Sequence, residues 1–112
     1  MATGKHIFTY AIISDTHMRP EGGDESSPWV VNEYANGRAR WVIDRINRSD
    51  PEFVIHMGDI VHPFPHLSTY DTAADAALKA HGKLKAPVYY LPGNHDVGDK
   101  KNPMMPADAV DD

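Results

Sequence analysis

Six residues of this chain have side chains able to do chemistry together: Asp15 and His17, then Asp59, then Asn94, His95 and Asp96. Asp15 and His17 are two apart, and in an extended backbone both would point to one face. One offers a carboxylate oxygen, the other a neutral imidazole nitrogen. That mixed set suits a first-row divalent metal such as manganese, iron or zinc. Asp59 has two carboxylate oxygens and can bridge two ions. Asn94 can give its amide oxygen to a second ion without adding charge. Gly58 and Gly93 stand immediately before two of these donors and allow the backbone to turn sharply there. Each piece alone is ordinary, since aspartate recurs in turns and helix caps. The information lies in their conjunction.

Composition narrows the chemistry further. The 112 residues make one domain at most. With 41% apolar and 24% charged residues the chain reads as globular. It has no cysteine, which excludes a disulfide scaffold, a thiolate metal site and a cysteine nucleophile. Seven histidines and 16 carboxylates remain, so any metal site uses nitrogen and oxygen ligands. The net charge of -5 argues against a nucleic-acid partner, which calls for a basic face. The longest near-apolar stretch, Ile7 to Ile13, falls far short of the roughly 20 residues of a membrane span. No signal peptide is read at the N-terminus, so no membrane partner and a cytoplasmic location are expected.

The elements that would position the six residues alternate along the chain. Ile7 to Ile13 reads as a strand buried on both faces, because it is β-branched, aromatic and nearly continuous. Residues 18–35 form a loop, in which Ser27-Pro28 can open a short helical turn. Ala39, Val42, Ile43 and Ile46 recur at helix spacing, with Asn36 as the expected cap and Ser49-Asp50-Pro51 as the stop. The arginines between them read as a solvated face. Phe53 to Met57 is a second strand. Ser68 or Thr69 then caps a second helix with Tyr70, Ala73, Ala74, Ala77, Leu78 and His81 on one face. Val88 to Leu91 is a third strand, and residues 97–112 read as loop. The order strand, helix, strand, helix, strand implies an α/β fold with a parallel sheet. All three strands break into polar residues at their carboxyl ends, the edge where open α/β sheets place ligands. The six residues are therefore expected to converge.

Other residues rank lower. His56 lies within a strand and reads as a satisfied core residue, while His6 and His81 read as structural or exposed. His62 and His66 share the loop after Asp59 and can face the site. Tyr89 and Tyr90 are expected to pack in the core.

The ordered set Asp15-x-His17, Gly58-Asp59-x-x-His62 and Gly93-Asn94-His95-Asp96 resembles the calcineurin-like metallophosphoesterase superfamily, and the resemblance runs from about Ile7 to Gly98. It implies a four-layer α/β/β/α sandwich holding two divalent or trivalent metal ions (Mn, Fe or Zn). The implied reaction is hydrolysis of phosphate monoesters or diesters by a bridging hydroxide, on a small molecule or a phosphoprotein. By resemblance Asp15, His17 and Asp59 hold the first metal, and Asp59 and Asn94 the second. His95 lies beside the leaving-group oxygen, and Asp96 orients its ring.

One departure is large. The family supplies further histidine ligands after the Gly-Asn-His motif, and here no histidine follows His95. Residues 1–112 are therefore expected to be the N-terminal portion of a catalytic domain whose other half lies elsewhere. Three strands and two helices cover one sheet face only. The other is expected to need that C-terminal half or another chain, and the isolated chain to be poorly soluble or partly folded. The competing readings are a non-catalytic scaffold of the same fold that binds a protein, a nuclease of the superfamily, and an inactive truncated product.

Overall fold

The computed structural model describes residues 3–22 and 30–98. The expected turn at Ser27-Pro28 and the chain beyond Gly98 lie outside them. Three parallel strands, β1 (Ala11–Ile13), β2 (Val54–His56) and β3 (Val88–Tyr90), form one sheet in the order β1-β2-β3. Ala11 pairs with Val54 and Val54 with Val88, so the three strands run level. Helix α1 (Ala35–Ser49) connects the first pair, preceded by a 3-10 turn at Val30–Tyr34, and α2 (Tyr70–His81) connects the second. A single helical turn, α3 (Asn94–Val97), follows β3.

The pleat divides the strand residues between two environments. Val54 and His56 are completely buried, and Ala11, Ile13 and Val88 pack around them. Ala39, Ile43 and Ile46 of α1 and Ala73, Ala77 and Ala80 of α2 complete this core, together with Leu84. The alanine stripe of α2 lets the helix lie close to its neighbours, since no long side chain holds it off. The two helices touch each other and cover the same face of the sheet.

The opposite face is bare among the described residues. Ile12 is 52% exposed and Tyr89 62%. Phe8, Tyr10, Phe53 and Tyr89 lie ring to ring across it, with Tyr10 and Phe53 stacked at 5.5 Å. The expectation of a first strand buried on both faces is thus corrected, as is that of a core position for Tyr89 and Tyr90. The apolar pattern is that of a two-sided strand, but only one layer of helices is present to cover it.

Two local expectations also change. Asn36 does not cap α1: Tyr34 holds that position without a side-chain bond. The Asn36 amide instead accepts from the Arg19 N–H at 2.9 Å and donates to the Arg19 carbonyl at 2.7 Å. It ties the loop after β1 to the start of the helix. Thr69, one of the two residues expected to cap α2, holds the cap position, without a side-chain cap bond. The buried face of α2 runs through Ala73, Ala76, Ala77, Ala80 and His81, and Leu78 is 65% exposed. Leu78, Tyr70 and Ala74 line a cleft of about 220 Å³ with Tyr90 and Val61 instead. The stop at the end of α1 is as read: Asp50 is left-handed at φ 50° and Pro51 follows.

Candidate metal and phosphate site

The loops after β1, β2 and β3 meet at one edge of the sheet. Beyond the strands, the Asp15 N–H donates to the Gly58 carbonyl at 2.9 Å and the His17 N–H to the Asp59 carbonyl at 3.0 Å. The two loops therefore run side by side with their donors in register. Both are wound tightly. Asp15, His17 and Asp59 have φ of 55°, 43° and 52°, a left-handed conformation that non-glycine residues seldom take and that costs of order 1–3 kcal/mol each. The expectation of an extended Asp15-x-His17 is corrected here, because the strand ends at Ile13. The two side chains still meet, with His17 Nε2 3.4 Å from Asp15 Oδ1.

His17 Nε2 also lies 3.8 Å from Asp59 Oδ2. The other Asp59 oxygen, Oδ1, accepts the His95 N–H at 3.0 Å. Gly58 is required at its place. Its φ is 101°, and a Cβ there would overlap the Gly93 backbone and lie 2.9 Å from the Leu91 carbonyl. This close approach brings the β2 and β3 loops together, so that Asp59 and His95 share one site. Asn94 is exposed at the first residue of α3. The Ser14 hydroxyl, and after it His17, holds the Asp15 carboxyl below its ordinary range.

Asp96 has a different partner set from the one the resemblance implied. Its Oδ2 accepts the N–H groups of Asp59 and Gly93, both at 2.8 Å, and its Oδ1 accepts that of Ile60 at 3.0 Å. The carboxylate clamps the two loops through their backbones. The His95 ring is oriented elsewhere: its Nδ1 lies 2.6 Å from the His62 carbonyl, and Phe64 stacks on it at 4.4 Å. Because that oxygen can only accept, Nδ1 carries the proton and Nε2 is the nitrogen left for chemistry.

His62 does face the site, its ring 5.4 Å from that of His95, whereas His66 is exposed and stacks on Phe64. Beneath the loops lies His56. Its Nδ1 accepts the Gly58 N–H and its Nε2 meets the Thr16 hydroxyl, both at 3.1 Å, while that hydroxyl donates to the Ile60 carbonyl at 2.8 Å. The ring is neutral: burial, and then the neighbouring His81, push its pKa down to about 4. His56 is the core residue its place in the strand predicts, but its role as a staple of both loops depends on bonds to Gly58 and Thr16 that strand pattern does not reveal. Burial also lowers His81, whose Nδ1 bonds the Ala77 carbonyl.

The donor set fits a metal ion. Oxygens of Asp15 and Asp59 and a nitrogen of His17 lie within 4.8 Å of one another. His17 Nδ1 is buried with no hydrogen-bond partner. Two carboxylates gathered on one imidazole are the oxygen and nitrogen ligands that first-row divalent ions take.

A parallel α/β sheet with this set of donors on the loops at its carboxyl edge puts the chain among the metallophosphoesterases, a class of metal-binding hydrolases. Residues 8–111 match the family described as calcineurin-like phosphoesterase, and the chain belongs to that family. It is 29% identical over 96 residues to the uncharacterized protein YvnB of Bacillus subtilis, covering 86% of this chain and 7% of that protein. It is 39% identical over 56 residues to the DNA double-strand break repair protein Mre11 of Methanococcus maripaludis, covering 49% of this chain and 15% of that one. The crystal structure of a dimetal phosphatase from Danio rerio shares the fold, with a TM-score of 0.60 at 19% identity. It covers 79% of this chain and 29% of its own. The chain thus spans less than a third of the length of each of these proteins. Among the described residues no helix is long and apolar enough to cross a membrane.

Proposed function

We propose that this chain supplies the N-terminal half of a two-metal centre that hydrolyses phosphate monoesters or diesters. The observation that carries the reading is the meeting of Asp15, His17 and Asp59, whose carboxylate oxygens and ring nitrogen lie within 4.8 Å of one another. Asp15, His17 and Asp59 would hold one ion, and Asp59 with Asn94 a second, with manganese, iron or zinc as candidates. When bound, such ions lower the pKa of water to about 7 and polarise phosphoryl oxygens.

The chain's own residues do the rest. The left-handed turns at Asp15, His17 and Asp59 aim three donors from two loops at one point, so little ordering remains when the ligand arrives. The Asp96 clamp and the His56 staple hold those loops in place. His95 is the general acid toward the leaving alkoxide. With Nδ1 already donating to the His62 carbonyl, only the imidazolium carries a proton on Nε2, and that is the proton it gives up. Phe64 fixes the plane of the ring during transfer.

The remaining ligands would come from a C-terminal half of the domain, packed on the bare face of Ile12, Tyr10 and Tyr89. The substrate is a phosphate ester, small or carried on a protein. The net charge of -5 weighs against a nucleic acid. Metal content and hydrolysis of p-nitrophenyl phosphate and bis-p-nitrophenyl phosphate, measured with manganese, test the reading. Turnover of either ester that disappears in Asp59→Asn supports it. A metal-loaded protein bearing the whole domain and inert toward both esters would point to a non-catalytic scaffold.

A further inference from the structure

A second set of donors stands beside the carboxylates. His17, His62 and His95 each offer a ring nitrogen, and the three nitrogens lie within 4.8 Å of one another. The ring centroids are 4.9 Å apart for His17 and His95, 5.4 Å for His62 and His95, and 6.2 Å for His17 and His62. Histidines that bind metals commonly give their other nitrogen to a carbonyl or similar partner, which fixes the tautomer and the ring. His95 does so through Nδ1 and the His62 carbonyl. His62 Nδ1 lies 3.3 Å from the side-chain amide of Asn32. The amide atom facing Nδ1 is its nitrogen, which donates, so Nδ1 accepts and Nε2 carries the proton; a cation on Nε2 requires the amide to turn over and the proton to move to Nδ1. His17 contributes a ring with a buried nitrogen that no protein group satisfies.

We propose that His17, His62 and His95 form a three-imidazole cation site, selective for zinc or nickel over manganese or magnesium. Imidazole donors without a carboxylate favour the later first-row ions, whereas manganese and magnesium prefer oxygen. Three histidines with one open position are an established zinc coordination, with Zn–N bonds of about 2.0–2.1 Å. Nitrogens bonded tetrahedrally at that length lie about 3.4 Å apart, so the rings need to close by roughly 1 Å. His17 belongs to both donor sets. An ion on the imidazoles therefore engages a ring that also faces Asp15 and Asp59, and it occupies the nitrogen of His95 that would deliver a proton. Zinc or nickel bound here opposes whatever the carboxylate set does. The site itself stands whether or not the chain is half of a phosphoesterase, because its test reads metal binding alone.

The test is calorimetric titration of the 112-residue chain with nickel and, separately, with manganese. Loss of even an outer-shell partner weakens metal sites by about 10–100-fold, so His62→Ala and His95→Gln are each expected to weaken nickel binding at least about tenfold. Asp15→Asn is expected to change it by less than about threefold. Manganese affinity is expected to be the same in His62→Ala as in the parent. Nickel affinity unchanged in His62→Ala, or reduced more by Asp15→Asn than by His62→Ala, overturns the proposal. A measurement without substitutions covers the case in which a variant fails to fold. On adding zinc, the ring-nitrogen resonances of His62 and His95 should move together to metal-bound positions. Ring resonances that stay put overturn it.

Discussion

Replacing Asp96 by alanine separates two roles for this carboxylate. If Asp96 oriented the His95 ring, its loss would slow catalysis and leave the fold alone. The structure instead shows it accepting three backbone N–H groups, from Asp59 and Gly93 at 2.8 Å and from Ile60 at 3.0 Å. Hydrogen bonds to a charged acceptor are worth about 1.5–3 kcal/mol each when removed. Asp96 is half-buried, so water replaces part of each bond, and about 1 kcal/mol per N–H is the appropriate figure. The expected loss is about 3 kcal/mol, a large fraction of the stability of a small domain. With a urea dependence of about 1–3 kcal/mol per molar, the unfolding midpoint falls by about 1–3 M. Asp96→Asn should lose nearly as much, because one amide oxygen cannot serve three donors and its NH2 would face an N–H. Urea titration followed by circular dichroism reads the shift, and hydrogen exchange at the amides of Asp59 and Ile60 localises it. A midpoint within 0.3 M of the parent (roughly 0.5 kcal/mol), with those amides still protected, would refute the clamp.

Other consequences are equally open to measurement. His56 titrates near 4 when folded and near 6.5 when unfolded, so the unfolded chain binds more protons between these values. Stability is therefore complete above about pH 6.5 and falls by up to about 3 kcal/mol as pH drops toward 4, and a flat profile of unfolding free energy over that window would contradict the buried neutral ring. Asn36→Ala leaves the N–H and carbonyl of Arg19 without their partner and should cost about 2 kcal/mol, whereas loss of a mere helix cap would be relieved by serine at the same position. In a protein bearing the whole domain, His95→Ala should lower turnover of p-nitrophenyl phosphate by about 10²–10⁴-fold while manganese binding is retained. Lysine at Tyr89, on the bare sheet face, should reduce dye binding and self-association of the isolated chain, and no change in either would mean that this face is not its sticky surface.

The parallel order of the strands was legible because each apolar run ends abruptly in polar residues and a helical pattern separates each pair. Convergence of Asp15, His17, Asp59 and His95 followed from topology alone, since each right-handed crossover returns the chain to the same edge. The details of the site were not legible, for a common reason. The left-handed turns at Asp15 and His17 are set by pairing with Gly58 and Asp59, more than forty positions along the chain. Two of the three partners of Asp96, the N–H groups of Asp59 and Ile60, lie on a different loop, and they engage its carboxylate in place of the adjacent ring. Asn36 sits where a cap belongs in the sequence, but the 3-10 turn at Val30–Tyr34 moves the helix start and frees its amide for Arg19. Leu78 has the helical spacing of a core residue, yet its side of α2 faces the cleft beside Tyr90 rather than α1.

If Asp15, His17, Asp59 and Asn94 hold the metal ions at which a phosphate ester is hydrolysed, removing the shared carboxylate of Asp59 abolishes both binding and turnover. Metal content and ester hydrolysis, measured together on the protein bearing the whole domain and on its Asp59→Asn variant, test it most directly. Two ions per chain and turnover are expected in the parent, with both lost in Asp59→Asn. Full metal content and undiminished turnover in the variant would contradict it.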